Sequence, residues 1–221
     1  YEGEEADFTP VSDDIPWSMV PEKKISPMDV KYVLSSHYQG TKYDCYGRHG
    51  DTSHQGQFRP IGIERTCFLS LHQNREEKLK EVECITWLAF GSNAFNAMVP
   101  LFSSVDKIPA YFATTKKDVS TDSFYWNNRL IAALTNASYL NSRFHVERYQ
   151  NAVQSRAYQL IEEYKKEVIK KKRTTAETKA MLEECNEKIA RIVRQETADV
   201  LDKVLFEASI VMKNSYSRSD A

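Results

Sequence analysis

The sequence predicts an α+β fold. Residues 59–71 alternate apolar and polar positions as a half-buried strand does, and residues 81–90 read as a second strand with apolar residues on both sides. The chain beyond them carries apolar residues every three or four positions, the spacing of amphipathic helices. The two longest helices, joined by a short turn, are expected to close an antiparallel helical hairpin at the C-terminal end.

Residues 1–26 are acidic, carry Pro10, Pro16 and Pro21, and hold neither period, so they read as an extended connection. Ser26 and Pro27 then open a short helix over Met28 to Ser36. Serine caps free N–H groups, and proline suits the first helical position. Val30, Val33 and Leu34 give this helix one apolar side. Gln39 to Gln57 is a loop rich in Gly, Asp and His.

In Arg59 to Leu71 the odd positions include Ile61, Ile63, Cys67, Leu69 and Leu71, and the even ones Gly62, Glu64, Thr66 and Ser70. That is the pattern of a half-buried strand. A charged linker, Gln73 to Lys80, leads to a second strand over Glu81 to Phe90, with Val82, Cys84, Leu88 and Phe90 on one side and Ile85, Trp87 and Ala89 on the other. Consecutive strands with a polar connection are expected to be antiparallel neighbours.

Thr121 and Asp122 are placed to cap a helix through Trp126, Leu130, Ile131 and Leu134. A longer helix is expected from Phe144 to Lys172 on the spacing of Tyr149, Val153, Ala157, Leu160, Ile161, Tyr164 and Val168. Thr174-x-x-Glu177 is a capping box that starts the final helix, whose apolar positions run from Leu182 and Cys185 to Val211. The divisions that follow are a connection (1–26), a strand-bearing part (27–118), a helical part (119–213) and a tail (214–221).

Thirty basic and 31 acidic residues leave a net charge of −1, without the basic excess of nucleic-acid-binding chains. No apolar run reaches the ~20 residues that span a bilayer, and the acidic start, Tyr1 to Asp7, is no signal peptide. Cys45, Cys67, Cys84 and Cys185 lack paired spacing and read as reduced thiols, which fits the cytoplasm. No nucleic-acid or membrane partner is expected.

Arg59 and Arg65 share parity with the apolar face of the first strand. Burying an arginine is costly unless it is paired. They read as guanidinium groups directed into an active site or as a structural salt bridge at a strand edge. Cys45, His49 and His54 share one loop, where a thiol–imidazole pair or a metal site is conceivable, although the spacing is not that of a zinc motif. Cys67, Cys84 and Cys185 read as small core residues. The basic run Lys170 to Arg173 suits a helix C-terminus, and Phe124, Tyr125 and Trp126 suit core packing. There is no phosphate-binding glycine loop, dinucleotide fingerprint, serine nucleophile elbow or His-Glu-x-x-His helix.

Four stretches carry more information as a set: His37-Tyr-Gln-Gly-Thr-Lys-Tyr-Asp44, Phe58-Arg-Pro-Ile-Gly-Ile-Glu-Arg-Thr66, Ile85-Thr-Trp-Leu-Ala-Phe-Gly91 and Asp122-Ser-Phe-Tyr-Trp-Asn-Asn-Arg-Leu-Ile-Ala-Ala-Leu134. In order and spacing the chain resembles the dipeptidase A family of cysteine peptidases, to which the secernins are related, from about Asp29 to the C-terminus. The resemblance implies a four-layer αββα sandwich of the N-terminal-nucleophile hydrolases, with residues 27–118 forming the C-terminal part of that domain. It implies a cysteine as first residue of the mature enzyme, attacking the carbonyl of a dipeptide, with its own α-amino group as base and no metal or organic cofactor.

This chain starts at Tyr1, and none of its cysteines is N-terminal. The nucleophile is therefore expected upstream, the chain alone is expected to be inactive, and its strands are expected to leave an unpaired edge that the N-terminal portion completes. Cys45 stands where the family resemblance places a proline. Choloylglycine-type hydrolases place an arginine near the nucleophile after a Gly-Asp…Arg-Phe stretch. Gly50 and Asp51 precede Phe58 and Arg59 in similar order, which makes Arg59 the first candidate for an active-site arginine and Arg65 the second. A homo-oligomer is compatible with this reading. The alternatives are a non-catalytic interaction protein of the same fold and an amidase acting on other linear amides.

Overall fold

The computed structural model describes residues 8–9, 11–48, 52–171 and 173–213. The first helix, α1 (Pro27–Leu34), begins as expected. Ser26 accepts from the Asp29 backbone N–H, and the Asp29 carboxylate accepts from the Ser26 N–H at 2.8 Å, a reciprocal cap with Pro27 at the first position.

The expected first strand is displaced. Residues 59–67 form no strand, and β1 runs Phe68–Asn74. The reason is local. The Gly62 N–H donates to the Ser36 carbonyl at 2.8 Å, and a Cβ on Gly62 would meet the Ser35 carbonyl oxygen at 2.4 Å, so this segment is held against the end of α1. Tight turns at Ile61–Ile63 and Ile63–Thr66 then consume its backbone groups. The alternation of Ile61 and Ile63 is thus a pattern without a ladder, and Cys67, expected in the core, is exposed.

Lys80–Val82 is a single 3₁₀ turn, and β2 runs Cys84–Phe90. β1 and β2 are antiparallel, with Phe68 opposite Phe90 and Leu71 opposite Trp87. A third strand, β3 (Val99–Phe102), joins β2 antiparallel with Leu88 opposite Val99, giving the order β1-β2-β3. Pro100 lacks an N–H and is tolerated because β3 is an edge. Asn186 closes that edge: its amide donates to the Phe102 carbonyl at 3.1 Å and accepts from the Phe102 N–H at 3.0 Å, with the side chain fully buried. β1 is the other edge, with no strand beside it among the described residues.

Helices cover one face of the sheet. α2 (Ala110–Ala113) and α3 (Phe124–Ala137) precede α4 (Tyr139–Lys170), which Ser138 alone separates from α3. α5 (Thr175–Ile210) starts at the capping box read from the sequence, with the Thr174 N–H donating to the Glu177 carboxylate at 2.9 Å. Ser123, not Thr121 or Asp122, is the cap residue of α3, without a side-chain hydrogen bond.

α4 and α5 form the expected antiparallel hairpin: Tyr149 meets Thr197 at 3.3 Å near one end, and Tyr164 donates to Glu184 at 2.9 Å toward the other. Its seam buries Val146, Val153, Ala157, Ile161 and Val168 against Leu182, Cys185, Ile189, Val193, Val200 and Val204. Arg173 closes the turn by donating to the Glu167 carbonyl at 2.8 Å. Arg75 and Lys165 hold Glu162 at 2.7 Å each, tying the end of β1 to α4.

Leu69, Ile85, Trp87 and Ala89 face this helical layer, and Trp87 stacks on Tyr158 of α4. The opposite face carries Phe68, Ser70 and His72, all exposed, with Thr86 and Leu88 half-buried. Phe68 packs on Phe90 at 5.4 Å, and Phe124 of α3 covers the end of Phe90. The described residues therefore form one helical layer and one antiparallel sheet, an α+β arrangement.

Candidate functional site

Polar side chains converge where α1, the loop after it, the turn between β2 and β3, and the start of α4 meet. The loop is organised by Asp44. Its carboxylate accepts from His37 Nδ1 at 2.9 Å, from the Tyr46 N–H at 3.0 Å and from the Gly40 N–H at 3.4 Å. Burial alone would raise the Asp44 pKa, but the backbone N–H groups of Tyr46 and Gly47 and the His37 ring outweigh it and hold the carboxyl below its ordinary value. His37 is itself buried, edge-on to Tyr46 at 5.1 Å and to Tyr139 at 6.1 Å.

The turn after β2 begins at Gly91, whose φ of 78° suits glycine. Asn96, fully buried, donates to the carbonyls of Phe90 and Gly91, and Gln150 of α4 donates to the carbonyls of Ala94 and Asn96. Lys31 reaches this turn from α1. Its ammonium donates to the Asn93 carbonyl and to Asn96 Oδ1, each at 2.5 Å. Burial pushes the Lys31 amine down to about 7, because neutral oxygens replace bulk water without adding a counter-charge. Between α1 and α4 a cavity of about 440 Å³ opens beside Lys31 and His37.

The residues singled out from the sequence lie elsewhere or play other parts. Arg59 and Arg65 are exposed on the loop leading into β1, not on a buried strand face. Arg65 faces Glu64 at 3.9 Å, with its side chain 78% exposed. His54 turns to Gln57 at 2.8 Å, and His49 lies outside the described residues, as do Gly50 and Asp51.

Cys45 sits beside His37 and Asp44 instead, their nitrogen, oxygen and sulfur donors all within 4.8 Å of one another. This set has the chemistry to hold a divalent ion. However, His37 and Asp44 are joined in a hydrogen bond, and burial followed by the Asp44 charge pushes the Cys45 thiol up to about 11. A thiol held protonated is a poor nucleophile. Cys185 is pushed to about 12 by burial in the helical seam, as expected of a core cysteine. Sequence reasoning did not single out Lys31, Asn93 or Asn96. Two asparagines inside the apolar run from Phe90 to Phe102 were the available signal, since buried amides demand partners.

An antiparallel strand pair, a capped helical hairpin and a loop built on His37 and Asp44 place the four motif stretches on one continuous fold. The chain belongs to peptidase family C69, whose profile matches residues 3–152. It is 42% identical over 211 residues to a probable dipeptidase A of Streptococcus pyogenes serotype M3 (strain SSI-1), covering 96% of this chain and 44% of that protein. A dipeptidase of Bifidobacterium longum (strain NCC 2705) is 35% identical over 256 residues, covering all of this chain and 48% of its own length. Dipeptidase A of Lactobacillus helveticus is 31% identical over 212 residues, with 96% and 44% covered. The chain thus spans less than half the length of these relatives. No helix among the described residues is long and apolar enough to cross a membrane.

Proposed function

We propose that this chain is the C-terminal part of a cysteine dipeptidase whose nucleophile, an N-terminal cysteine, lies upstream of Tyr1. The observation that carries the reading is the alignment of nearly the whole chain with under half of proteins described as dipeptidases. Two of the four thiols support it. Cys45 is held protonated, and Cys185 is sealed in the hairpin.

In the proposed reaction the upstream thiol adds to the carbonyl carbon of the dipeptide while the cysteine's α-amino group takes the thiol proton. That proton passes to the departing amine as the C–N bond breaks, leaving a thioester. Water then cleaves the thioester, returning the thiol and releasing the second amino acid. Arg59 is the first candidate and Arg65 the second for stabilising charge on the substrate, and their exposure leaves both open to it.

In this reading residues 27–118 complete the hydrolase domain, residues 119–213 supply its helical layer, and the partly bare sheet face around Phe68 and Leu88 receives a second sheet. That stacking would yield the four-layer sandwich.

A substrate panel tests the reading. The complete polypeptide should hydrolyse dipeptides with free termini. Hydrolysis of N-acylated amino acids alone would replace the dipeptidase with an amidase, and no hydrolysis of either would favour an interaction protein.

A further inference from the structure

The cavity between α1 and α4 is not used by the proposed chemistry. Its volume, about 440 Å³, lies within the ~300–1,000 Å³ range of small-molecule sites. Lys31 and Arg143 line it as cations, and Glu147, one helical turn beyond Arg143, lines it as an anion. Met28, Phe95 and Met98 give it an apolar wall.

Two buried polar atoms in the same lining, the Ser35 hydroxyl and the Gln154 amide nitrogen, have no hydrogen-bond partner among the described residues. Such groups are costly to leave unpaired, and as both are sealed from solvent, a turn of either side chain toward the cavity would bring it to a ligand. The Lys31 ammonium has three donors, of which Asn93 and Asn96 take two. Both acceptors are neutral oxygens, so a half-buried amine, charged below about pH 7, stands beside an open cavity without a bonded carboxylate among the described residues.

We propose that this cavity binds a free α-amino acid. The carboxylate of the ligand accepts from Lys31 and Arg143, its ammonium donates to Glu147, and its side chain lies on the apolar wall. The pattern of two cations, one anion and an apolar surface matches a zwitterion better than a simple anion, which Glu147 would repel. The site is argued from this chain's geometry. Only the choice of an amino acid among zwitterions rests on the dipeptidase reading, since each turnover would release two.

The test is calorimetric titration of the complete polypeptide with leucine, N-acetylleucine and leucinamide. Leucine is expected to bind, and each blocked form, lacking one charge, is expected to bind about tenfold or more weakly. Lys31→Met should weaken leucine binding by a similar factor. Arg143→Gln, at an exposed position, should do so too and guards against a folding defect in the first variant. Absence of leucine binding, blocked forms that bind as well as leucine, or unchanged affinity in both variants would overturn the proposal. Leucine binding that depends on Lys31 in a protein without dipeptide hydrolysis would retain the cavity and remove the peptidase. Hydrolysis without such binding would do the reverse.

Discussion

Asp44 Oδ1 lies 2.9 Å from His37 Nδ1, and both side chains are buried where α1 hands over to the following loop. The same carboxylate gathers the Tyr46 and Gly40 N–H groups, so one residue satisfies several buried donors. Asp44→Ala strands them, and the expected loss is about 1.5–3 kcal/mol of stability, read from denaturant midpoints. The pH dependence follows from the lowered Asp44 pKa. In the window between the native and unfolded values the unfolded state binds more protons. The contribution is therefore complete above the ordinary value of 3.8 and is lost as pH falls through the native value. Asp44→Asn should lose this acid-sensitive component. Equal acid midpoints for the two proteins would contradict the assignment.

Lys31 works in the opposite sense. Its native value is about 7 against an ordinary 10.5, so between these values the unfolded state holds the extra proton. The cost of burying the charge is full below pH 7 and is relieved as pH rises toward 10.5. Lys31→Met should therefore compare most favourably with the wild type at pH 6.5 and less so at pH 9.5. Urea midpoints at the two values check this, and a difference that stays constant or grows with pH would refute a depressed Lys31.

The helices were legible because their signals are local. The Ser26 cap and the Thr174–Glu177 box both stand where the sequence placed them, and the structure adds Asp29 as the reciprocal partner of Ser26. α4 begins at Tyr139, earlier than the apolar spacing indicated, since a buried position of its first turns is the polar Ser142. β3 escaped notice because its four residues are all buried and therefore do not alternate, and because it contains Pro100. The start of β1 was misplaced because the contact of Gly62 with Ser35 and Ser36 joins segments distant in sequence. The same holds for the site. Nothing in the spacing of α1 says that Lys31 meets Asn93, 62 residues away.

The four thiols offer a direct check of burial. Brief alkylation of the native chain at pH 7.5, mapped by mass spectrometry, should label the exposed Cys67 first. Cys45, pushed up to about 11, should react slowly, and Cys185 should react only on unfolding. Cys45 reacting ahead of Cys67 would show an activated thiol and reopen its role as a nucleophile.

Arg59 separates function from folding. It is exposed, so Arg59→Ala should change stability by no more than about 0.5 kcal/mol. In the proposed dipeptidase, with Arg59 at the active site, its loss should lower kcat by roughly 10²-fold or more. Normal turnover in that variant would remove Arg59 from the site and leave Arg65 to be tested in the same way.

The most direct test of the central claim is dipeptide hydrolysis by this 221-residue chain alone and with the proposed upstream segment restored, each with and without a thiol alkylator. The account predicts hydrolysis only in the restored form, abolished by alkylation. Hydrolysis by the isolated chain, or hydrolysis in the restored form that survives alkylation of every accessible thiol, would contradict it.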